Sequence, residues 1–224
     1  MIDQLIIGDK ASFDDFGASL ATRKIGQPPK KSIKDTVPFS NKTYDFSRIN
    51  GELYWEEREL EYVFEILADT PEQLEERKQA FVNWLMQVHE EQIHDPHIPD
   101  FHFVGTYDDM DTDDDDGLEK TTITVKFTAY PYKVANLPKK YIVELPASTN
   151  QDVTVINDSA HRLVPTLVTD ADIILKIDYT SLSVSAGEYI DDTLTLEPGS
   201  TTMTVQNISE TDCTVTITFY EEVL

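Results

Sequence analysis

Apolar and polar residues alternate in short runs along most of this chain, and that period of two constrains its fold more than any other feature. The even-numbered positions from 60 to 66 are apolar, whereas glutamates occupy most of the odd-numbered positions beside them. The same alternation runs through residues 121–129. Such patterns predict half-buried β-strands. We therefore predict strands at 2–7, 59–67, 101–107 and 121–129, the last two joined by a polar hairpin loop at 108–120.

A helical pattern follows the second of these strands. Thr70 is a favourable N-cap, Pro71 is tolerated at the first helical position, and Gln73 completes a capping box with Thr70. Apolar residues then recur on one stripe, which consists of Leu74, Phe81, Leu85 and Val88. We predict one α-helix over about residues 71–88, with one face packed on a sheet.

The pattern changes after residues 134–140, a segment that holds a proline and two lysines. Short runs rich in threonine, valine and isoleucine then recur without a helical period, and glycines and prolines separate many of them. Regular short strands with turn residues between them are typical of a β-sandwich. The predicted strands are centred near Val153, Leu167, Ile173, Val184, Leu194, Met203 and Val215.

These patterns together predict a mainly β protein, of the β-rich α+β class, with two domains. Residues 1–135 are predicted to form a β-sandwich or barrel-like domain that carries the helix. Residues 136–224 are predicted to form a second β-sandwich.

Net charge and hydropathy exclude several classes of partner. The 224 residues contain 18 Lys and Arg against 42 Asp and Glu, a formal net charge of −24. Because a phosphate backbone attracts basic surfaces, we expect no sequence-specific binding of nucleic acid. No run of 18 apolar residues is present, so membrane insertion is not expected. The first residues lack the basic and apolar regions of a secretory signal peptide, which predicts synthesis in the cytoplasm without one.

The charge is distributed unevenly. Residues 52–120 hold 22 acids and 4 bases, whereas residues 1–51 hold 6 acids and 8 bases. A run of bases at 23–34 contains no acid and includes one glycine and two prolines, a composition that predicts an extended basic arm. Two interpretations are open, a solvated loop and an arm that docks on an acidic face of a neighbouring subunit. The candidate interface residues are Arg23, Lys24, Lys30, Lys31 and Lys34.

The acidic run at 108–116 does not fit a calcium-binding loop. An EF-hand needs acids at positions 1, 3, 5 and 12 and a glycine at position 6. Aligning Gly117 with position 6 puts Thr112 at position 1 and Ile123 at position 12, so the EF-hand is rejected. We predict a solvated hairpin tip that turns at Asp116 and Gly117, with adventitious cation binding as the alternative.

Four histidines lie between residues 89 and 102, and imidazole is a common zinc ligand. No cysteine accompanies them, and their spacing differs from that of structural zinc sites. His89 is favourable simply as a residue at the C-terminus of the predicted helix. We therefore predict no metal site from His89, His94, His97 and His102.

Patterns that indicate catalysis are missing from the sequence. It contains neither a Gly-x-Ser-x-Gly nucleophile elbow nor a glycine-rich phosphate loop. Cys213 is the only cysteine, which excludes intrachain disulfides, and it alternates inside a threonine-rich strand. It is therefore interpreted as a core residue rather than a nucleophile. We predict no catalytic residue and no cofactor, and we expect that the chain is not an enzyme.

Several short motifs follow one another in a recognisable order. A basic arm with prolines, a strand rich in tyrosine and phenylalanine, the predicted helix and an aromatic hairpin precede Tyr130-Pro131-Tyr132. Further motifs lie at 155–158, Arg162, 165–168 and the terminal 217–224. This order, over nearly the whole chain, resembles the distal tail protein family of bacteriophages with long, non-contractile tails.

The resemblance implies a fold and a function. The N-terminal domain is expected to assemble into a hexameric ring, and the C-terminal domain is expected to be a galectin-like β-sandwich. Such a ring is a structural hub of the baseplate at the tail tip of the virion. It joins the end of the tail tube protein to the tail-associated tip protein and often to a receptor-binding protein. Proteins of this family have no catalytic residues, so the resemblance implies none in this chain.

Other hypotheses remain open from the sequence alone. Acidic residues of the N-terminal domain would line the channel of a ring and keep DNA from adhering to it. The main alternative function is a free carbohydrate-binding module that mediates adsorption to the host cell surface. A third is a hydrolase, which would need a cleft with convergent carboxylates of perturbed pKa.

Overall fold

The computed structural model describes residues 3–36, 38–39, 41–48, 53–115, 119–177 and 180–224. The chain divides into two compact units, Met1–Val134 with Leu224, and Ala135–Val223. Each unit encloses its own hydrophobic core. Most of the regular structure is antiparallel strand, which confirms the predicted mainly β fold class.

The N-terminal unit is built around one antiparallel sheet. Its strands follow the order β2-β1-β7-β8-β9-β6-β3, so β3 lies at an edge, and β4 and β5 form a separate two-stranded ribbon. The elements are β1 (Ile6–Ile7), β2 (Lys10–Ala11), α1 (Ser12–Phe16), β3 (Ala18–Ile25), β4 (Lys34–Thr36), β5 (Thr43–Asp45), β6 (Arg58–Leu67), α2 (Pro71–Leu85), β7 (Glu91–His94), β8 (Phe101–Asp115), β9 (Lys120–Ala129) and β10 (Lys133–Ala135).

The alternating sequence of β6 produces the face that the core covers. Leu60, Tyr62, Phe64 and Ile66 are fully buried, and the residues between them point to the other face of the sheet. Strand β9 pairs with β6 and buries its own alternate residues in the same way. The strands predicted at 59–67 and 121–129 are confirmed, each longer by one residue at its start.

Helix α2 starts where its capping residues indicate. The Thr70 Oγ1 accepts a hydrogen bond from the Gln73 N–H at 3.3 Å, and Pro71 occupies the first turn. The predicted end at residue 88 is wrong, because the helix ends at Leu85. The Gln87 and Val88 N–H groups bond to the carbonyls of the third residue before each of them, a tighter turn that ends the helix while leaving Val88 buried.

A second helix, α1, was not predicted. Its five residues are too few to show a helical period. Contacts with the preceding segment hold it, because the Ser12 N–H donates to the Leu5 carbonyl and the Leu5 N–H donates to the Ser12 Oγ. Gly17 ends the helix with a left-handed backbone, at a φ of 72°.

The acidic run is strand rather than loop. Strand β8 continues through Asp115, and its register with β9 extends from Gly105 opposite Ala129 to Asp115 opposite Lys120. A bulge between Tyr107 and Asp109 shifts the alternation. Lysines and threonines of β9 lie opposite the aspartates, which reduces the repulsion that the run alone would have. The predicted turn at Asp116 and Gly117 falls outside the described residues.

The first predicted strand is shorter in the structure. Only Ile6 and Ile7 of the segment 2–7 form β1, and Ile2 lies outside the described residues. Ile6 and Ile7 pair with both β2 and β7, so the segment contributes one short strand between two others.

The C-terminal unit consists of two four-stranded antiparallel sheets, ordered β11-β18-β13-β16 and β12-β17-β14-β15. Buried residues of both sheets form one core, as in a β-sandwich. Their strands are β11 (Lys139–Leu145), β12 (Asn150–Asn157), β13 (Thr166–Thr169), β14 (Ile173–Ile177), β15 (Thr180–Val184), β16 (Gly187–Tyr189), β17 (Gly199–Asn207) and β18 (Cys213–Phe219). A further short strand, β19 (Glu222–Val223), belongs to neither of these two sheets.

Most of the predicted C-terminal strands are present, with one exception. Leu194 is buried but lies in a turn between β16 and β17, so a strand centred on it is wrong. The Leu194 N–H donates to the Asp191 carbonyl, a local bond that replaces strand pairing. In β18 the buried residues are Cys213, Val215, Ile217 and Phe219, as the alternation predicts.

Candidate functional site

The arm, defined here as residues 27–57, lies between β3 and β6 in the chain, and its described part contains the two-stranded ribbon of β4 and β5. Strands β4 and β5 pair in antiparallel register, with Lys34 opposite Asp45. Closer to the sheet, the Lys31 N–H donates to the Tyr54 carbonyl at 2.9 Å and the Glu56 N–H donates to the Pro29 carbonyl at 2.8 Å. These bonds give the described part of the arm a defined path rather than that of a free loop.

Apolar side chains lie exposed along this ribbon. Phe39 is fully exposed, and Ile33 is about half exposed. Tyr44 and Phe46 stack with ring centroids 6.4 Å apart, and the Lys42 Nζ lies 5.1 Å from the Tyr44 ring. A two-stranded ribbon with its apolar side chains in water is marginally stable alone, and exposed apolar patches mark interaction sites. Exposed apolar side chains on such a ribbon are typical of a segment that binds to another protein surface.

The distal part of the arm, residues 30–48, is positively charged, whereas the whole arm from 27 to 57 holds five bases and five acids. Between residues 30 and 48 it carries five bases and two acids. Hydrogen bonds from Ser47 lower the pKa of Asp45, and the nearby charges of Lys34 and Lys30 lower it further. The Asp45 carboxylate therefore already accepts hydrogen bonds within the ribbon. The bases are Lys30, Lys31, Lys34, Lys42 and Arg48.

The five predicted interface residues do not lie together. Lys30, Lys31 and Lys34 lie exposed on the arm, whereas Arg23 and Lys24 belong to β3 of the main sheet. The extended arm predicted for residues 23–34 therefore starts only after Ile25. The aromatic residues of the arm were not predicted to take part in binding, although they lie between basic residues in the sequence.

Arg23 is engaged inside its own unit. Its Nη1 lies 2.6 Å from the Asp95 Oδ2, and the Asp95 side chain is fully buried. The Tyr62 hydroxyl donates to the same oxygen at 3.3 Å, and the His97 N–H donates to the other carboxylate oxygen at 2.9 Å. Burial, and then the Asp95 charge, raise the pKa of Tyr62 far above its ordinary value. This cluster joins β3, β6 and the segment after β7, close to the base of the arm.

The base of the arm has no room for a side chain at Gly26. A Cβ there would lie 2.6 Å from the Glu59 carbonyl oxygen, which also accepts the Gly26 N–H at 2.8 Å. We expect Gly26→Ala to lower the free energy of unfolding by about 1–3 kcal/mol, because the backbone of β6 has to shift. Urea denaturation measures this change. Gln27→Ala, at the exposed neighbouring position, should change stability by less than about 0.5 kcal/mol; equal effects of the two variants would contradict the close contact.

A groove, called here the helix groove, lies between α1, α2 and the ends of β3 and β6. It has a volume of about 830 Å³, within the size range of ligand-binding clefts. Its apolar side is formed by Phe13, Phe16, Leu67 and Ala80. The Phe16 ring stacks on the Trp84 ring, with ring centroids 4.7 Å apart.

Acidic side chains predominate on the polar side of the helix groove. Asp14, Asp15, Glu65 and Glu76 line it together with one base, Arg77. Glu65 is paired with Lys120 at 2.7 Å, and Arg77 donates to the Leu67 carbonyl at 2.7 Å. Asp14, Asp15 and Glu76 make no ion pair with any residue that the structure describes. Asp14 accepts a hydrogen bond from the Gln4 side chain and Asp15 accepts one from the Ala11 N–H, while Arg77 and the nearby Lys10 bring positive charge. The lining of the groove nevertheless holds more acids than bases beside its aromatic surface.

The acidic strand β8 is attached to α2 at one point. The Lys78 Nζ lies 2.6 Å from the Asp114 Oδ2, and the Thr121 hydroxyl donates to the other Asp114 oxygen at 2.6 Å. These two bonds lower the pKa of Asp114, and the Asp114 hydrogen bond raises the pKa of Lys78. Both groups therefore stay charged at neutral pH, and the pair holds the hairpin end against the helix.

The histidines and the cysteine are the possible metal ligands and nucleophile of the sequence, and the structure gives their surroundings. No group of three potential metal ligands occurs among the described residues. The His94 and His102 rings are 5.1 Å apart, and burial, followed by the nearby His102, lowers the pKa of His94. Cys213 is buried, and burial raises the pKa of its thiol, so the reactive thiolate is disfavoured.

The C-terminal unit has a smaller groove, of about 310 Å³. Leucine and isoleucine side chains form its floor, and threonines, Ser200 and Glu197 form its rim. Sugar-binding sites commonly use exposed aromatic rings as stacking surfaces, and the described lining residues of this groove include none. No helix in the described part of the chain is both long and apolar enough to cross a membrane.

Comparison with known proteins identifies the fold. No family model matches the sequence, and no curated protein matches it. Among solved structures, the Dit protein (gp 19.1) of phage SPP1 matches 100% of this chain and 100% of its own, with a TM-score of 0.72 and 15% sequence identity. That protein is described as a paradigm of the hub adsorption apparatus in phages that infect Gram-positive bacteria.

Two structures of the phage P2 baseplate in its activated conformation, with Ca and with Sr, also match, with TM-scores of 0.41 and 10% identity. The matches cover 96% and 98% of this chain and 98% of each P2 chain. The SPP1 comparison confirms, at the level of the fold, the resemblance to distal tail proteins that the sequence indicates.

Proposed function

We propose, from a fold shared over its full length with the SPP1 distal tail hub protein, that this chain is a structural protein of a bacteriophage tail tip. In this proposal six copies form a ring through their N-terminal units. The ring joins the end of the tail tube to the tail-associated tip protein and to the receptor-binding apparatus. The protein thus acts within the virion as a baseplate hub and performs no catalysis.

The full-length structural match is the observation that carries this proposal. Both units of the chain take part, because the match covers the whole of both proteins. Two unrelated domains that happened to share common β folds would not be expected to match as one chain of this length.

The surface of the N-terminal unit supports assembly with further copies. In a ring each contact is heterologous, so each subunit has to present two different complementary surfaces. The distal part of the arm, residues 30–48, supplies a basic surface with exposed aromatic residues. Asp14, Asp15 and Glu76 supply acidic surface on the same unit without ion-pair partners in the described chain. Electrostatic complementarity of this kind favours association and fixes its orientation.

Charge reversal on the arm tests the proposed ring. We expect the triple variant Lys30→Glu, Lys31→Glu and Lys34→Glu to weaken assembly at least about tenfold, because three attractive contacts become repulsive at every interface. Mass photometry of the full chain over a concentration series measures the fraction in the hexamer.

A matched control makes the same change in charge elsewhere. The variant Lys140→Glu, Arg162→Glu and Lys176→Glu reverses three exposed bases of the C-terminal unit and should assemble as the unaltered chain does. A strictly monomeric unaltered chain would contradict the proposed ring. Unchanged hexamers of the arm variant would show that these lysines are not at the interface.

A further inference from the structure

We propose that the arm of one subunit binds in the helix groove of the next copy of this chain. This inference rests on the proposed ring and goes further, because it assigns both surfaces of one interface to named residues. The occupant of the groove is thus a second copy of this protein, and each subunit donates one arm and accepts another.

The positions of the two surfaces favour a head-to-tail contact. The arm leaves the sheet where Ile25 pairs with Leu60, and the helix groove lies where Ala18 pairs with Ile66. These ends of the β3–β6 pair are separated by six to seven residues, or about 20 Å along the strands. A subunit with its binding element at one end and its receiving surface at the other joins its copies in series, and a ring closes such a series.

The charges of the two surfaces are complementary. The described part of the arm between residues 30 and 48 holds five bases and two acids, of which Asp45 already bonds to Ser47. The groove holds Asp14, Asp15 and Glu76 without ion-pair partners among the described residues. Bringing the two surfaces together places the exposed bases Lys30, Lys31 and Lys34 beside carboxylates that form no ion pair among the described residues.

The apolar residues are complementary as well. The arm carries Phe39, Tyr44 and Phe46 on its surface, and the groove offers Phe13, Phe16 and Leu67, the last of them 56% exposed. Burying aromatic rings against one another supplies most of the energy at the centre of an interface, while charged pairs around them set the orientation. A groove of about 830 Å³ has room for side chains from the ribbon.

A charge-exchange experiment tests this pairing with full-length protein. The arm variant is Lys30→Glu, Lys31→Glu and Lys34→Glu, and the groove variant is Asp14→Lys, Asp15→Lys and Glu76→Lys. Each variant alone should assemble at least about tenfold more weakly than the unaltered chain, because like charges then meet at every interface. An equimolar mixture should restore hexamers that contain three copies of each, since every arm then meets a groove of opposite charge.

Two further variants complete the design. A chain with both sets of substitutions should form hexamers by itself, because its acidic arm fits its basic groove. The control Glu144→Lys, Glu188→Lys and Glu210→Lys changes the net charge as the groove variant does, at exposed positions of the C-terminal unit, and should assemble normally. Circular dichroism of every variant monitors the fold, and restoration in the mixture shows that the single variants remain folded.

The outcomes separate this inference from the proposed function. If the unaltered chain forms hexamers and the groove variant does so equally well, the groove assignment is overturned while the ring stands. Failure of the mixture and of the combined variant to assemble would also overturn the pairing of arm with groove. If the unaltered chain remains monomeric at every concentration, the proposed ring itself fails.

Discussion

Replacement of Phe81 by alanine is expected to lower the free energy of unfolding of the N-terminal unit by about 3–5 kcal/mol. Phe81 is fully buried on the inner face of α2. Its ring lies 5.0 Å from Phe64, 5.9 Å from Phe16 and 5.6 Å from Trp84, measured between centroids. Alanine would leave a cavity among three aromatic rings, which cannot collapse without moving the helix.

Tryptophan fluorescence during urea denaturation measures this loss selectively. Both tryptophans, Trp55 and Trp84, lie in the N-terminal unit, so their signal reports its unfolding. Met86→Ala is the matched control, because Met86 is 60% exposed at the C-terminal end of the same helix. The control should change stability by less than about 0.5 kcal/mol. A loss below about 1 kcal/mol for Phe81→Ala would contradict the packing described for α2.

The Phe81 variant also bears on assembly. Phe16 lines the helix groove and packs on both Phe81 and Trp84. Loosening this cluster should displace the apolar side of the groove even where the unit stays folded. In the proposed ring, which uses this groove, the variant should therefore form hexamers less readily at temperatures below its unfolding transition.

Replacement of Arg23 by alanine is expected to lower the free energy of unfolding by about 2–3 kcal/mol. The Asp95 carboxylate would remain buried without its cation, and breaking a fully buried pair typically costs more, about 3–5 kcal/mol. The smaller value applies because the Arg23 side chain is 31% exposed, so water partly screens the pair. Bonds from the Tyr62 hydroxyl and the His97 N–H would still hold Asp95 in place.

A double-mutant cycle with Asp95→Asn tests this explanation. Once Asp95 is neutral, Arg23→Ala should cost much less than it does in the unaltered chain, since no buried charge is then left unpaired. Lys24→Ala, on the exposed next position of β3, controls for the loss of a positive charge. Additive effects of the Arg23 and Asp95 changes would show that the two side chains do not depend on each other.

The sequence predicted those elements whose cause lies within a few residues. The alternation in β6, β9 and β18 and the N-cap of α2 each depend on near neighbours, and the structure confirms them. Errors arose where distant contacts compete with a local pattern. The acidic run was predicted as a loop from its charge, yet pairing with β9 makes it a strand.

The candidate site was predictable only in part. The lysines of the arm were recognised from composition, and their exposed position agrees with a role at the surface. Arg23 belonged to the same basic run, but a buried carboxylate 72 residues later engages it. The helix groove could not be predicted, because it is assembled from α1, α2 and the ends of two strands that lie far apart in the chain.

The sequence by itself therefore determined the mainly β composition of this protein, its principal helix and its basic arm, because periodicity, capping and local charge act over short separations. Only the tertiary structure decided which of the predicted bases lie exposed on the arm and which one pairs with a buried carboxylate inside its own unit. That decision depends on strand order and on side chains brought together from distant segments. No periodic pattern along the chain records those contacts.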